Sequence, residues 1–147
     1  MAEGRIILVF ECGGDRDKTK RLLMGRVAAR MRDITILISD NPRSEEPAKI
    51  IKEIELGIKE VNPFCRYLIN ENRFEAIKEA LSLARNGDIV LIAGKGHEDY
   101  KIVKDKRYPF SDKSAVRKIL GAKDDEIQRG FEVFVWIRKI WDKIRFV

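Results

Sequence analysis

With 147 residues, 44% of them hydrophobic, the chain has the length to bury one core and reads as one domain. No apolar run reaches the roughly 18 residues of a membrane helix, the opening MAEGRIILVFE reads as a strand and not as a signal peptide, and two isolated cysteines, Cys12 and Cys65, imply neither a disulfide framework nor a zinc site. Thirty basic residues against 24 acidic ones give a net charge of +6, but the charges interleave, which argues for an ion-paired surface of thermophile type and against a nucleic-acid binder; a positive excess also suits anionic small substrates.

In chain order, RIILVFE (5–11) is an apolar run of strand length. KTKRLLMGRVAARM (18–31) carries Leu22, Leu23, Val27 and Met31 at helical spacing. ITILIS (34–39) is a β-branched strand, and EEPAKIIKEIELGIKEV (45–61) sets Ile50, Ile51, Ile54, Ile58 and Val61 on one helical stripe. RYLIN (66–70) is a short strand. RFEAIKEALSLAR (73–85) repeats the helix pattern with Phe74, Ile77, Ala80, Leu81 and Ala84, and DIVLIAG (88–94) is another apolar strand. KIVKDKRYPF (101–110) reads as a polar hairpin turning near Lys104-Asp105-Lys106, and SDKSAVRKIL (111–120) as a helix capped by Ser111 or Asp112. GAKDDEIQRG reads as a linker. FEVFVWIRKIWDKIRFV reads as an amphipathic helix with Phe134, Ile137, Ile140, Trp141 and Ile144 on its apolar stripe. Residues 1–120 therefore form the domain, and 121–147 a linker and C-terminal helix.

Strands without polar alternation, each followed by an amphipathic helix, predict an α/β fold. The expected form is a three-layer Rossmann-like domain with a mostly parallel sheet, a C-terminal hairpin or antiparallel edge, and the extra C-terminal helix. The polar stretches CGGDRDK (12–18), DNPR (40–43) and GKGHED (94–99) each follow a strand. In an open parallel sheet those ends share one edge, where ligands bind. Arg16 and Arg43 can each grip a carboxylate with two hydrogen bonds. Asp40 and Glu98 can accept from an ammonium, Asn41 can donate and accept, and Gly13, Gly14, Gly94 and Gly96 permit close backbone approach. Paired guanidiniums with paired carboxylates describe a receptor for a zwitterion such as an amino acid. Plainer readings stand beside this one. Gly13-Gly14 also suits a tight turn, Arg16 an ion pair with Asp15 or Asp17, Asp40 an Asx-turn, Pro42 a turn, Glu98 a pair with Lys95, and His97 a structural role. The sequence has no GxxxxGK[ST], no GxGxxG after a strand, no serine elbow and no HExxH. It offers no phosphate cradle, and neither a catalytic nor a metal-binding residue is assigned.

Together GGDRDKTKR with MGR, SDNPRSEEP, NRFEAIKEAL and GDIVLIAGKGHEDY with PFSD resemble the C-terminal domain of the Mur ligases. More narrowly they resemble the MurE type, which adds 2,6-diaminopimelate to a nucleotide-sugar dipeptide. The resemblance runs from about Arg5 to Leu120. It implies an ATP-dependent acid–amino-acid ligase of bacterial peptidoglycan synthesis in the cytoplasm, with ATP and Mg²⁺ used by the complete enzyme and neither bound by this stretch alone. It implies meso-diaminopimelate as ligand, UDP-MurNAc-L-Ala-D-Glu as co-substrate, and N-terminal and central Mur domains as partners in cis or in trans. By the same resemblance Arg16 would bind a diaminopimelate carboxylate, Asp40, Asn41, Pro42 and Arg43 would form the selective wall, and Gly94 and Glu98 would hold the distal amino-acid end. Two positions depart from the family: Glu11 stands where Gly is usual and Leu22 where Pro is usual. The alternative expectation is a non-catalytic binding module that uses its C-terminal helix on a partner or a membrane surface.

Overall fold

A computed structural model describes residues 4–10, 12–14, 18–31, 33–38, 44–94, 100–103, 105–121 and 132–135. Strands β1 (Ile6–Phe10), β2 (Ile34–Ile38), β3 (Tyr67–Asn70), β4 (Ile89–Ile92) and β7 (Glu132–Val135) form one sheet in the order β3-β2-β1-β4-β7. Every pairing in it is parallel, with Val9 beside Ile36 on one side and beside Ile92 on the other. Helices α1 (Thr19–Met31), α2 (Pro47–Val61), α3 (Arg73–Leu83) and α4 (Asp112–Leu120) complete the described elements, with β5 (Tyr100–Val103) and β6 (Lys106–Pro109) between β4 and α4.

The apolar runs have no polar alternation because both faces of the sheet are covered. In β1, Ile7 and Val9 pack with Ile77, Ala80 and Leu81 of α3 and Val116 and Leu120 of α4. Leu8 and Phe10 point the other way, onto Ala28 of α1 and Ile50, Ile51, Ile54 and Ile58 of α2. The result is the expected three-layer arrangement. Pro47 opens α2, the Asn72 side chain accepts from the Glu75 amide at the start of α3, and of the two caps expected for α4 it is Ser111 that serves, accepting from the Ser114 amide. Among the described residues no helix is long and apolar enough to cross a membrane.

The expected hairpin is present: β5 and β6 pair antiparallel as a two-stranded sheet of their own, apart from the main sheet. Asp105, at φ 66°, takes the left-handed conformation that its tight turn requires. One expectation is corrected: Glu132–Val135 is a strand and not the start of a helix. EVFV is β-branched and aromatic, and the open flank of β4 offers unpaired backbone groups that a fifth strand satisfies; the helical reading of residues 136–147 lies outside the described residues. In α1, Leu22 and Val27 are half-buried. Leu23 is 52% exposed, and the buried face is Arg21, Gly25 and Ala28.

Close helix packing explains that choice. A Cβ on Gly25 would lie 2.1 Å from the Ile54 carbonyl oxygen of α2, and a Cβ on Gly57 of α2 would lie 2.1 Å from the Leu22 carbonyl oxygen of α1. The two backbones therefore meet at reciprocal glycines, and bulky side chains are displaced to the margins. Replacing Gly57 by alanine forces the helices apart, and a loss of about 2 kcal/mol or more is expected from urea unfolding.

At the opposite edge from the candidate loops, Asp88 joins β1 to β4. Its Oδ1 accepts from the Arg5 amide at 2.8 Å, and its Oδ2 from Arg5 Nη2 at 2.7 Å and the Arg85 amide at 2.8 Å. The Arg5 side-chain hydrogen bond lowers the Asp88 pKa from 3.8 to about 2, against the opposing effect of burial. A lowered carboxyl pKa contributes stability that is complete above its unfolded value and is lost as pH falls towards the folded one. The stability difference between wild type and Asp88→Asn should therefore shrink between about pH 4 and pH 2, as measured by chemical unfolding across that range.

Candidate functional site

The strand order decides where the loops lie. β2, β1 and β4 are adjacent and parallel, so their carboxyl ends open onto one edge. The chain passes from β1 outward through β2 and β3 and then returns to the other flank of β1 as β4. The switch point, where ligands of such sheets bind, is therefore between β1 and β4. From this edge leave the three segments that carry the predicted residues. Of those residues Gly94 lies in the described part: it follows β4 at φ 106°, a conformation that disfavours any side chain. Arg16, Asp40, Asn41, Pro42, Arg43 and Glu98 lie outside the described residues, as do Glu11, Lys95, Gly96 and His97.

What the structure adds is a pair of buried arginines at the bases of these loops. Arg21, in the first turn of α1, is fully buried. Its Nη2 donates to the Gly13 carbonyl at 3.0 Å and to Glu45 Oε1 at 2.8 Å. Its Nη1 donates to Glu45 Oε2 at 2.9 Å and to Glu53 Oε2 at 2.7 Å. The Arg21 pKa is raised by hydrogen bonding to Glu45, against burial, with Glu53 adding to it. The charge is thus permanent, and one guanidinium ties the loop after β1 to the segment after β2.

Arg73, at the start of α3, does the same on the other face of the sheet. It is fully buried, as is its partner Asp112. Nε donates to Asp112 Oδ1 at 2.7 Å and Nη2 to Oδ2 at 2.8 Å, the two-pronged geometry that only arginine offers. Nη2 also donates to the Ala93 carbonyl at 3.2 Å. Ala93 precedes Gly94, and Asp112 begins α4 after the hairpin, so Arg73 pins both feet of the excursion 94–111. One guanidinium thus meets a carbonyl after β1 and the other a carbonyl after β4, on either side of the switch point.

Sequence reasoning missed Arg21, Glu45, Glu53, Arg73 and Asp112. A signal existed for the first: Arg21, Gly25 and Ala28 share helical spacing with the buried face, which puts an arginine on an apolar stripe. The Cys12 thiol donates to Met24 Sδ at 3.3 Å. Among the described residues no group of three or more His, Cys, Asp or Glu side chains could hold a metal ion. The described residues therefore offer no fit for Mg²⁺.

Comparison with known proteins agrees with this architecture. The family described as "Mur ligase, glutamate ligase domain" matches residues 1–96. The chain is 56% identical over 117 residues to the UDP-N-acetylmuramoyl-L-alanyl-D-glutamate–2,6-diaminopimelate ligase of Caldanaerobacter subterraneus, covering 80% of this chain and 24% of that protein. To the same-named ligase of Aquifex aeolicus it is 50% identical over 121 residues, covering 82% of this chain and 24% of that protein. A solved structure of a ligase with this name superposes with a TM-score of 0.74 at 42% identity, again over 80% of this chain and 24% of the other. The chain spans about a quarter of the length of the curated relatives it matches.

The buried pair gives a stability test. Asp112→Leu alone leaves the Arg73 charge without its carboxylate and should cost about 3–5 kcal/mol, whereas Arg73→Met with Asp112→Leu should recover most of that loss. Thermal and urea unfolding of the single and double variants measure it.

Proposed function

Because the chain belongs to the Mur ligases, through their glutamate ligase domain, we propose that it is the amino-acid-binding part of an ATP-dependent ligase of peptidoglycan synthesis. The complete enzyme adds meso-diaminopimelate to UDP-MurNAc-L-Ala-D-Glu in the cytoplasm. It draws ATP, Mg²⁺ and the nucleotide-sugar peptide from N-terminal and central Mur domains, supplied in cis or in trans. The observation that carries this reading is the identity of 56% over 117 residues to a diaminopimelate ligase, in a fold whose parallel strands β2, β1 and β4 end on one edge.

In this reading the chain binds and orients the incoming amino acid. Arg16 takes one carboxylate of diaminopimelate. Asp40, Asn41, Pro42 and Arg43 form the wall that selects its second charged end, and Gly94 and Glu98 hold that distal end. Diaminopimelate differs from lysine by one carboxylate, so a guanidinium at the far wall discriminates by a bidentate pair that lysine cannot make. The binding-module alternative loses its support where it rested on a helix from residue 131, since Glu132–Val135 is β7.

An amide-NMR titration with meso-diaminopimelate, with L-lysine as control, tests the reading. Diaminopimelate should shift the amides of Gly13, Gly14 and Gly94 and of segments 15–17, 39–43 and 95–99, and lysine should shift them far less. Equal response to both ligands, or none at millimolar concentration, would sink it.

A further inference from the structure

We infer that Arg21 is a positioning residue that sets the separation of the two loops flanking the amino-acid site; the ligand part of this inference rests on the function proposed above. Gly13 stands three residues before Arg16, and Glu45 stands two residues after Arg43. A single nitrogen, Arg21 Nη2, donates to both the Gly13 carbonyl at 3.0 Å and Glu45 Oε1 at 2.8 Å. The second prong to Glu45 fixes the plane of the guanidinium. The loop carrying Arg16 and the loop carrying Asp40, Asn41 and Arg43 thus share one rigid spacer at their bases.

The cluster is not what stability alone selects. A buried ion pair is commonly no better than apolar side chains of the same volume. Here Arg21 Nε is buried with no hydrogen-bond partner, which adds to the cost. What the guanidinium offers over an apolar stripe is geometry: a planar fork of fixed dimensions between two backbones. Glu53 contributes differently. It sits within α2 and accepts from Nη1 at 2.7 Å. It balances charge, while Glu45 transmits position.

That contrast supplies the test. Glu45→Gln, Glu53→Gln and Arg21→Lys are compared with wild type by amide hydrogen exchange and by the diaminopimelate titration. Glu45→Gln and Arg21→Lys should speed exchange at Cys12–Gly14 and Ser44–Glu46 while the strands Ile7–Phe10 and Ile34–Ile38 keep their protection. They should weaken diaminopimelate binding at least roughly tenfold, the scale on which small misplacements of a binding group act. Glu53→Gln should leave loop exchange and affinity within about twofold. Should Arg21→Lys fail to fold, the isosteric Glu45→Gln and Glu53→Gln still decide. Equal effects of those two, or exchange changes spread evenly over α1 and α2, would overturn the assignment. If wild type binds no diaminopimelate, the functional reading fails on its own, and the exchange contrast between the two glutamine variants still shows whether Arg21 links the loops.

Discussion

The arrangement of this molecule depends on two guanidiniums that cannot leave the interior. Arg21 and Arg73 are each held by carboxylates of other elements, and each places a nitrogen on a backbone carbonyl at the exit of a central strand. Hydrophobic burial alone specifies which face of a strand is inward, but it says little about how a loop leaves the sheet, because apolar contacts are non-directional. A bidentate charged pair is directional. The two arginines, one per face, convert a generic parallel sheet into one whose loops start from defined points around the switch point between β1 and β4.

The rest of the fold is consistent with that task. Parallel pairing of β2, β1 and β4 gathers three loops that are distant in sequence. Reciprocal contacts at Gly25 and Gly57 bring α1 and α2 close enough for Arg21 to reach Glu53. The charge interleaving of the sequence resolves at the surface into cross-helix and within-helix pairs, such as Arg26 with Glu60 and Lys59 with Glu55. Such pairs add little individually, unlike the buried ones.

Much of this was legible in the sequence because the signals are local. The β-branched runs of β1, β2 and β4, the isoleucine stripe of α2, the hairpin and the Ser111 cap each lie within a few residues. What was not legible required distant partners. Arg21 meets Glu45 across 24 positions and Arg73 meets Asp112 across 39, and no periodicity reports such a meeting. The buried face of α1, Arg21, Gly25 and Ala28, begins with an arginine and continues through a glycine, so apolar spacing did not report it. The segment EVFV was misread because a short apolar run fits a helix stripe as well as a strand; the unpaired flank of β4 decides. Of the candidate site, the sequence offered candidate residues by chemistry and resemblance, and the structure supplied the strand edge from which their segments leave and the buried arginines at the strand exits.

The Arg5–Asp88 bridge has a consequence for how the chain acquires this form. It joins residues 83 apart in sequence, and it sits where the two middle strands begin. β1, β2 and β3 with α1 and α2 can pair from the first half of the chain. The central strand nevertheless keeps one flank open until β4 arrives, and the closure of so long a loop is entropically slow. Until then β1 presents an unpaired apolar edge, the kind of surface on which intermediates aggregate. Asp88 marks the end of this interval: its contacts with the Arg5 amide and guanidinium tie the beginnings of β1 and β4 together.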